Sequence, residues 1–267
     1  MTEPLLEIKD VHFSFGENEV YSGLNLQVRR GQVAVIIGPS GSGKSTLLNF
    51  VGGRLYPNSG SVTCDGVEVS RLRRKDLFDF RQRLGMMFQS SALLTDFSVF
   101  DNVAFPVRQN TRLSETLIRH LVLMKLEMVG LRGARDLMPA ELSGGMARRV
   151  ALARAIAMDP MLVMYDEPFT GLDPISMGVI VKLIREVNDT LGMTSLVVTH
   201  DVREACTIGD YMYLVGGGKV IGEGTPEEML ESEAADVRQF MNGLPDGPVP
   251  YNYPAPDYAE DFMGGVA

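Results

Sequence analysis

The chain has 267 residues, 45% hydrophobic and 22% charged, enough for one large α/β core or for a core with a smaller subdomain folded into it, and this composition excludes a disordered polymer. Its formal net charge of -9 argues against nucleic acid as a partner, because non-specific affinity for a phosphate backbone is electrostatic. No apolar run approaches the roughly 20 residues needed to cross a bilayer, and MTEPLLEIKD has neither the basic nor the apolar region of a secretion signal.

Residues 5 to 35 alternate apolar and polar in short pieces, as in LLEIKDVHFSF and LNLQV, with turn residues in GENE and RRG. That period of two predicts antiparallel sheet leading into a buried strand, VAVII. The strand runs into GPSGSGKS and then TLLNFVGG, whose apolar spacing suits a helix. The two cysteines, Cys64 and Cys206, stand outside any metal-ligand spacing and are expected to be reduced and buried as small apolar residues. Between Ser91 and Ala157 the pattern turns helical, with spacings such as Leu117, Leu121, Met124 and Met128, so a helical subdomain is predicted within the α/β core. MLVMY and TSLVVT are short, almost wholly apolar runs, as expected of parallel strands covered on both faces. Periodicity stops after about Met241, which divides the chain into a domain over 1–241, with its helical part at about 91–157, and an extension over 242–267.

The run Gly38, Pro39, Ser40, Gly41, Ser42, Gly43, Lys44, Ser45 satisfies G-x-x-x-x-G-K-[ST] between a strand and a helix, and Thr46 follows in that helix. Glycines let successive amides point into a phosphate while the helix adds its positive end. Lys44 can reach the β and γ phosphates, and the Ser45 hydroxyl can ligate Mg²⁺. Asp166 and Glu167 close the apolar strand MLVMY, where open α/β sheets place their ligand-binding groups. Asp166 is suited to hold Mg²⁺ through its water shell, and Glu167 to polarise an attacking water. Alone, such an acid pair would be an ordinary helix N-terminal feature; the phosphate loop changes that reading. ELSGGMARRVALARAI predicts a long helix capped by Ser143, with the amides of Gly144 and Gly145 exposed at its positive end, a second anion site far in sequence from the first.

These segments, in this order, resemble the nucleotide-binding subunits of ABC transporters over nearly the whole chain. GPSGSGKST is similar to that family's Walker A loop, LSGGM to its signature, MLVMYDE to its Walker B strand and GLD, with Asp173, to its D-loop. The resemblance implies an α/β P-loop NTPase fold with a mostly parallel core sheet, an antiparallel β subdomain and an inserted helical subdomain. It implies ATP and Mg²⁺ as cofactors, and Gln89, in MMFQSSALL, as a Q-loop glutamine contacting Mg²⁺ and the attacking water. His200, in LVVTHD, matches the switch histidine at the γ-phosphate, and Phe15 falls where the family stacks an aromatic on adenine. It also implies a homodimer with two composite sites, Ser143, Gly144 and Gly145 of each copy closing over the nucleotide of the other. Met146 and Gly171 depart from the usual Gln and Ala, which puts hydrogen bonding at position 146 in question.

FQSSALLTDFSVFDNVAFPVR, DEPFTGLDPISMGVIVKLI and VRQFMNGLPDGPVPYNYPAPDY further resemble the ATPases that power phospholipid transport between the inner and outer membranes and so maintain outer-membrane lipid asymmetry. That implies a peripheral subunit on the cytoplasmic face of the bacterial inner membrane, with an integral membrane permease, a STAS-domain protein and a periplasm-facing MCE protein as partners. The alternatives are an ABC ATPase serving another substrate, a soluble ABC ATPase acting on ribosomes or DNA ends, and a regulator keeping the motifs as relics. One phosphate loop, no heptad run and excess acid count against the soluble form. Around the Q-loop, Phe97, Phe100 and Phe105 are candidates either for helical packing or for a surface that receives the membrane subunit. The tail, with five prolines from Pro245 to Pro256, carries Tyr251, Tyr253, Tyr258 and Phe262. Burying each aromatic gains roughly 1.5–3 kcal/mol, less than ordering some twenty residues costs, so the tail is expected to become ordered only against a neighbouring subunit.

Overall fold

The computed structural model describes residues 3–249, 255 and 258–263. A hairpin of β1 (Leu6–Phe15) and β2 (Asn18–Val28) leads through β3 (Val33–Ile37) and the phosphate loop into α1 (Lys44–Val51). Then come β4 (Ser59–Cys64), β5 (Val67–Glu68), α2 (Arg74–Arg81) and β6 (Leu84–Met87). A helical stretch follows, with α3 (Val99–Asn110), α4 (Glu115–Met128) and α5 (Gly144–Ala155). The chain returns through β7 (Leu162–Asp166), α6 (Pro174–Leu191), β8 (Thr194–Val198), α7 (Val202–Ile208), β9 (Tyr211–Gly216) and β10 (Lys219–Gly224). It ends on α8 (Pro226–Leu230), α9 (Ala235–Asn242) and α10 (Tyr258–Met263).

Two sheets result. The antiparallel one has the order β2-β1-β4-β5; the other runs β10-β9-β3-β8-β7-β6, parallel except where β10 returns beside β9. The period of two along the parallel strands explains their unbroken apolar runs. Val33, Val35 and Ile37 of β3, with Val163 and Tyr165 of β7, pack into the cluster built with α3, α4, α5 and α6. Ala34 and Ile36, with Leu162 and Met164, pack into the cluster formed by α1 and the antiparallel sheet. Both faces are covered, so no polar face is available.

α4 is helical, as its spacing predicts, and of the spaced set Leu121 and Met128 pack against the helical cluster. Leu117 and Met124 are more than half exposed, whereas Ile118, Val122 and Leu126 are buried together with Lys125. Two apolar stripes share this helix, and packing against α3 and α5 selects one. Lys125, 1% exposed, pairs with Asp159 of the loop before β7 and so ties α4 to the sheet. Phe97 and Phe105 meet edge to face with centroids 5.7 Å apart, Phe105 being partly open to solvent, and Phe100 packs against the helical cluster. Cys64 is buried, its thiol pushed up to about 12 by desolvation, while Cys206, expected to be buried, is only partly so.

The tail carries one short helix despite its prolines, which disfavour helix. α10 starts beyond Pro256, where no pyrrolidine ring interrupts a helical turn, and its Tyr258 and Phe262 are exposed. Tyr251 and Tyr253 lie outside the described residues.

Candidate nucleotide site

Four adjacent parallel strands deliver their carboxyl ends to one edge of the sheet: the phosphate loop after β3, Gln89 after β6, Asp166 at the end of β7, and His200 after β8. Open parallel sheets form their crevice there. The cleft, about 470 Å³, is lined by Phe15, Val20, Ser40, Gly41, Gly43, Lys44, Ser45, Thr46, Gln89, Glu167 and His200. Only Val20, on β2, was absent from the sequence reading, having no polar or motif signal to mark it.

The phosphate loop has the geometry of an anion cradle. At Gly43 φ is +93°, and a Cβ would lie 2.7 Å from Val20 and 2.9 Å from the Tyr21 ring. At Gly38 it would lie 2.3 Å from the Val215 carbonyl oxygen. No other residue fits either place. Gly43 caps α1 without a side-chain hydrogen bond, which leaves the first-turn amides for a ligand. Lys44, 7% exposed, donates to the carbonyls of Gly38 at 2.8 Å and Pro39 at 3.0 Å. Burial lowers its pKa, opposed by the charges of Glu167 and Asp166. The Ser42 hydroxyl is buried without a hydrogen-bond partner among the described residues, an orphaned donor that a phosphate oxygen would satisfy.

Across the cleft, the Ser45 hydroxyl donates to Asp166 Oδ1 at 3.0 Å. Burial raises the Asp166 carboxyl above its usual range, with the Ser45 hydrogen bond opposing. Ser45, Asp166 and Gln89 offer only hard oxygen donors, a set that suits a small divalent cation. The raised pKa has a testable consequence. A carboxyl whose folded pKa exceeds its unfolded value contributes most below the unfolded value, and that contribution is lost as pH rises through the folded one. Asp166→Asn is therefore expected to raise the melting temperature of the nucleotide-free chain at neutral pH. The gain should shrink on acidification, where the wild-type carboxyl is itself protonated; thermal unfolding across pH checks both.

Glu167 sits one residue past β7 in the left-handed region, at φ +47°, costly for a residue with a side chain. Its amide donates to the Val198 carbonyl at 2.9 Å, fixing it to the end of β8. Its carboxylate, largely buried, receives the His200 Nδ1 at 2.9 Å and the Thr170 hydroxyl at 3.3 Å, both on Oε2. A carboxylate held by two partners and lining one cleft with the phosphate loop can act as a base toward water. Thr170 and Asp201, whose carboxylate lies near Glu167 and His200, were not singled out from sequence; neither belongs to a spacing that would mark it. Phe15, 54% exposed at the end of β1, presents a ring to the cleft, steadied edge to face by Phe13 at 4.8 Å.

Ser143, Gly144 and Gly145 do not reach this cleft. Ser143 caps α5 by accepting from the Met146 amide at 3.2 Å, and the Gly145 position is closed by Ser176, 2.5 Å from where its Cβ would stand. Met146 packs its thioether against the helical cluster, so the departure at this position falls on the inner face of the helix. Asp173 accepts from the amides of Ile175 and Ser176, both at 3.0 Å, and caps α6. These bonds, led by that to the Ser176 hydroxyl, hold its carboxyl below the ordinary range.

The family model described as "ABC transporter" matches residues 21–170. The "Intermembrane phospholipid transport system ATP-binding protein MlaF" of Haemophilus influenzae is 56% identical over 98% of this chain and 100% of its own length. The protein of the same description from Escherichia coli K12 is 49% identical over 98% of this chain and 97% of its own. Among solved structures, the dimeric post-hydrolysis state of the ATP-binding cassette MJ0796 bound to ADP and Pi superposes with a TM-score of 0.76. It shares 32% identity over 83% of this chain and 98% of that one. The cbiO1 protein of Clostridium perfringens gives a TM-score of 0.81 at 30% identity, over 91% of this chain and 96% of that one.

Proposed function

Because the chain belongs to the ABC transporter family, we propose that its ATPase site drives phospholipid transport between the inner and outer membranes and so maintains outer-membrane lipid asymmetry. The observation that carries the reading is the cleft itself, where Lys44, Gln89, Glu167 and His200 converge from four strand ends. The phospholipid substrate is supported by similarity over nearly the full length of relatives that bear that description.

The geometry supports the following order of steps. Phe15 stacks on the adenine, and the phosphates enter the cradle at the start of α1, where Lys44 exchanges its two carbonyl acceptors for phosphate oxygens. Ser45, Gln89 and Asp166 would hold Mg²⁺, which would supply positive charge to the β and γ phosphates. Glu167 takes a proton from the attacking water, whose oxygen bonds to the γ-phosphorus as the bond to the bridging oxygen breaks; ADP and phosphate leave. His200 orients the base and contacts the γ-phosphate. Ser143, Gly144 and Gly145 of a second copy cover that phosphate, so its loss lets the dimer open. In this reading Asp173 orders the D-loop by capping α6.

The ATPase domain spans 1–241, with its helical subdomain at about 91–157, and the extension 242–267 reaches a neighbouring subunit. No helix among the described residues is long and apolar enough to cross a membrane, which suits a peripheral place on the cytoplasmic face of the inner membrane. The partners are a second copy, an MlaE-like permease, an MlaB-like STAS protein and an MlaD-like MCE protein. Purification from the native membrane is expected to bring down these chains together with phospholipid; a solute-binding protein and no lipid would refute the substrate. The same purification with residues 246–267 deleted should lose a partner or the dimer while nucleotide binding persists. Unchanged assembly would exclude that role for the tail.

A further inference from the structure

The buried face of α5 runs Gly145, Arg148, Leu152, Ala155, an apolar stripe interrupted by one cation. Arg148 is 5% exposed and has no carboxylate partner among the described residues. Its Nη1 donates to the carbonyl of Phe88 at 3.1 Å and to that of Gln89, and its Nη2 donates to the carbonyl of Thr170 at 2.8 Å. Its Nε is buried and unpartnered among the described residues. Burial alone lowers its pKa. Six residues further along α5 lies Arg154, which donates to the carbonyls of Ser91 and Ala92, each at 2.8 Å. Both of these residues stand in the left-handed region, at φ +61° and +46°. One helix thus grips residues 88–92 at both ends.

A buried guanidinium with no counter-charge is a costly way to fill space, since an apolar side chain of similar volume is often as stabilising or more so. Its acceptors are specific, however. One is Gln89, whose side chain faces the cleft; another is Thr170, whose hydroxyl donates to the Glu167 carboxylate. We infer that Arg148 is a positioning residue that sets Gln89 and the turn from Glu167 to Thr170 from the helix that begins at Ser143. The inference rests on the roles proposed above for Gln89 and Glu167. Because Ser143 to Gly145 of this helix serve the nucleotide held by the other copy, a shift of α5 on closure is passed through Arg148 to the reacting groups of its own site. A misplacement of about 1 Å in such groups costs about 10²-fold in rate.

The test is a double-mutant cycle on the full chain, in the complex isolated with it, using ATP turnover and ATP affinity as readouts. Arg148→Gln should lower kcat by about 10- to 100-fold while ATP affinity changes by less than about 3-fold. Arg148→Lys should recover part of the loss. In the Gln89→Ala background, Arg148→Gln should cost clearly less than in the wild type, the remainder being its action through Thr170. A higher KM at unchanged kcat, or full multiplication of the two losses, would overturn the inference while leaving the site intact. If Gln89→Ala itself leaves kcat unchanged, the role of Gln89 is wrong and the inference falls with it. Should melting of the nucleotide-free chain reveal that Arg148→Gln is unfolded, Arg148→Lys carries the same cycle, because it keeps the charge and cannot span all three carbonyls.

Discussion

Glu167→Gln is expected to bind ATP like the wild type and to turn it over about 10²- to 10⁴-fold more slowly, the contribution of a positioned general base. The substitution is nearly isosteric. The amide bond to Val198 and the left-handed backbone are unchanged by it, and an amide oxygen can still accept from Thr170 and His200. What it removes is the capacity to take a proton from water. Single-turnover hydrolysis beside an equilibrium binding measurement separates the two quantities. Hydrolysis at the wild-type rate would remove Glu167 from the chemistry and leave the strained backbone at that position without a functional reason.

Lys44→Ala is expected to lose binding and turnover together. The ammonium is buried between two backbone carbonyls, and it is the cation placed to meet the β and γ phosphates. Breaking a buried charge pair costs about 3–5 kcal/mol, so ATP affinity should fall by about 10²-fold or more. The two variants differ in kind: one removes an interaction made only on the way to the transition state, the other an interaction with the bound substrate. A Lys44→Ala chain that still binds ATP tightly would place the phosphates elsewhere.

Much of this site was legible before the fold. The run from Gly38 to Ser45 constrains backbone and side chains locally, because a phosphate loop needs close backbone approach and a lysine at one offset. The apolar strands ending at Asp166 and before His200 also declared their place, since a strand covered on both faces has no polar register. What was not legible involves partners distant in sequence. Thr170 beside Glu167, Val20 under the loop, and Arg148 on Phe88 and Gln89 carry no local mark; only the interruption of an apolar helical stripe by Arg148 hinted at a buried cation. Which apolar residues of α4 are buried was not legible either, as two stripes of equal period compete and the neighbour decides.

The sequence by itself determined the elements, the motifs and their order along the chain, because helix and strand periods and glycine-dependent turns are set within a few residues of one another. Only the tertiary structure decided which atoms meet: that His200 and Thr170 share one carboxylate oxygen of Glu167, and that Asp166 is raised by burial rather than lowered by Lys44. Desolvation and hydrogen-bond geometry depend on everything packed around a group, and packing is a property of the whole chain.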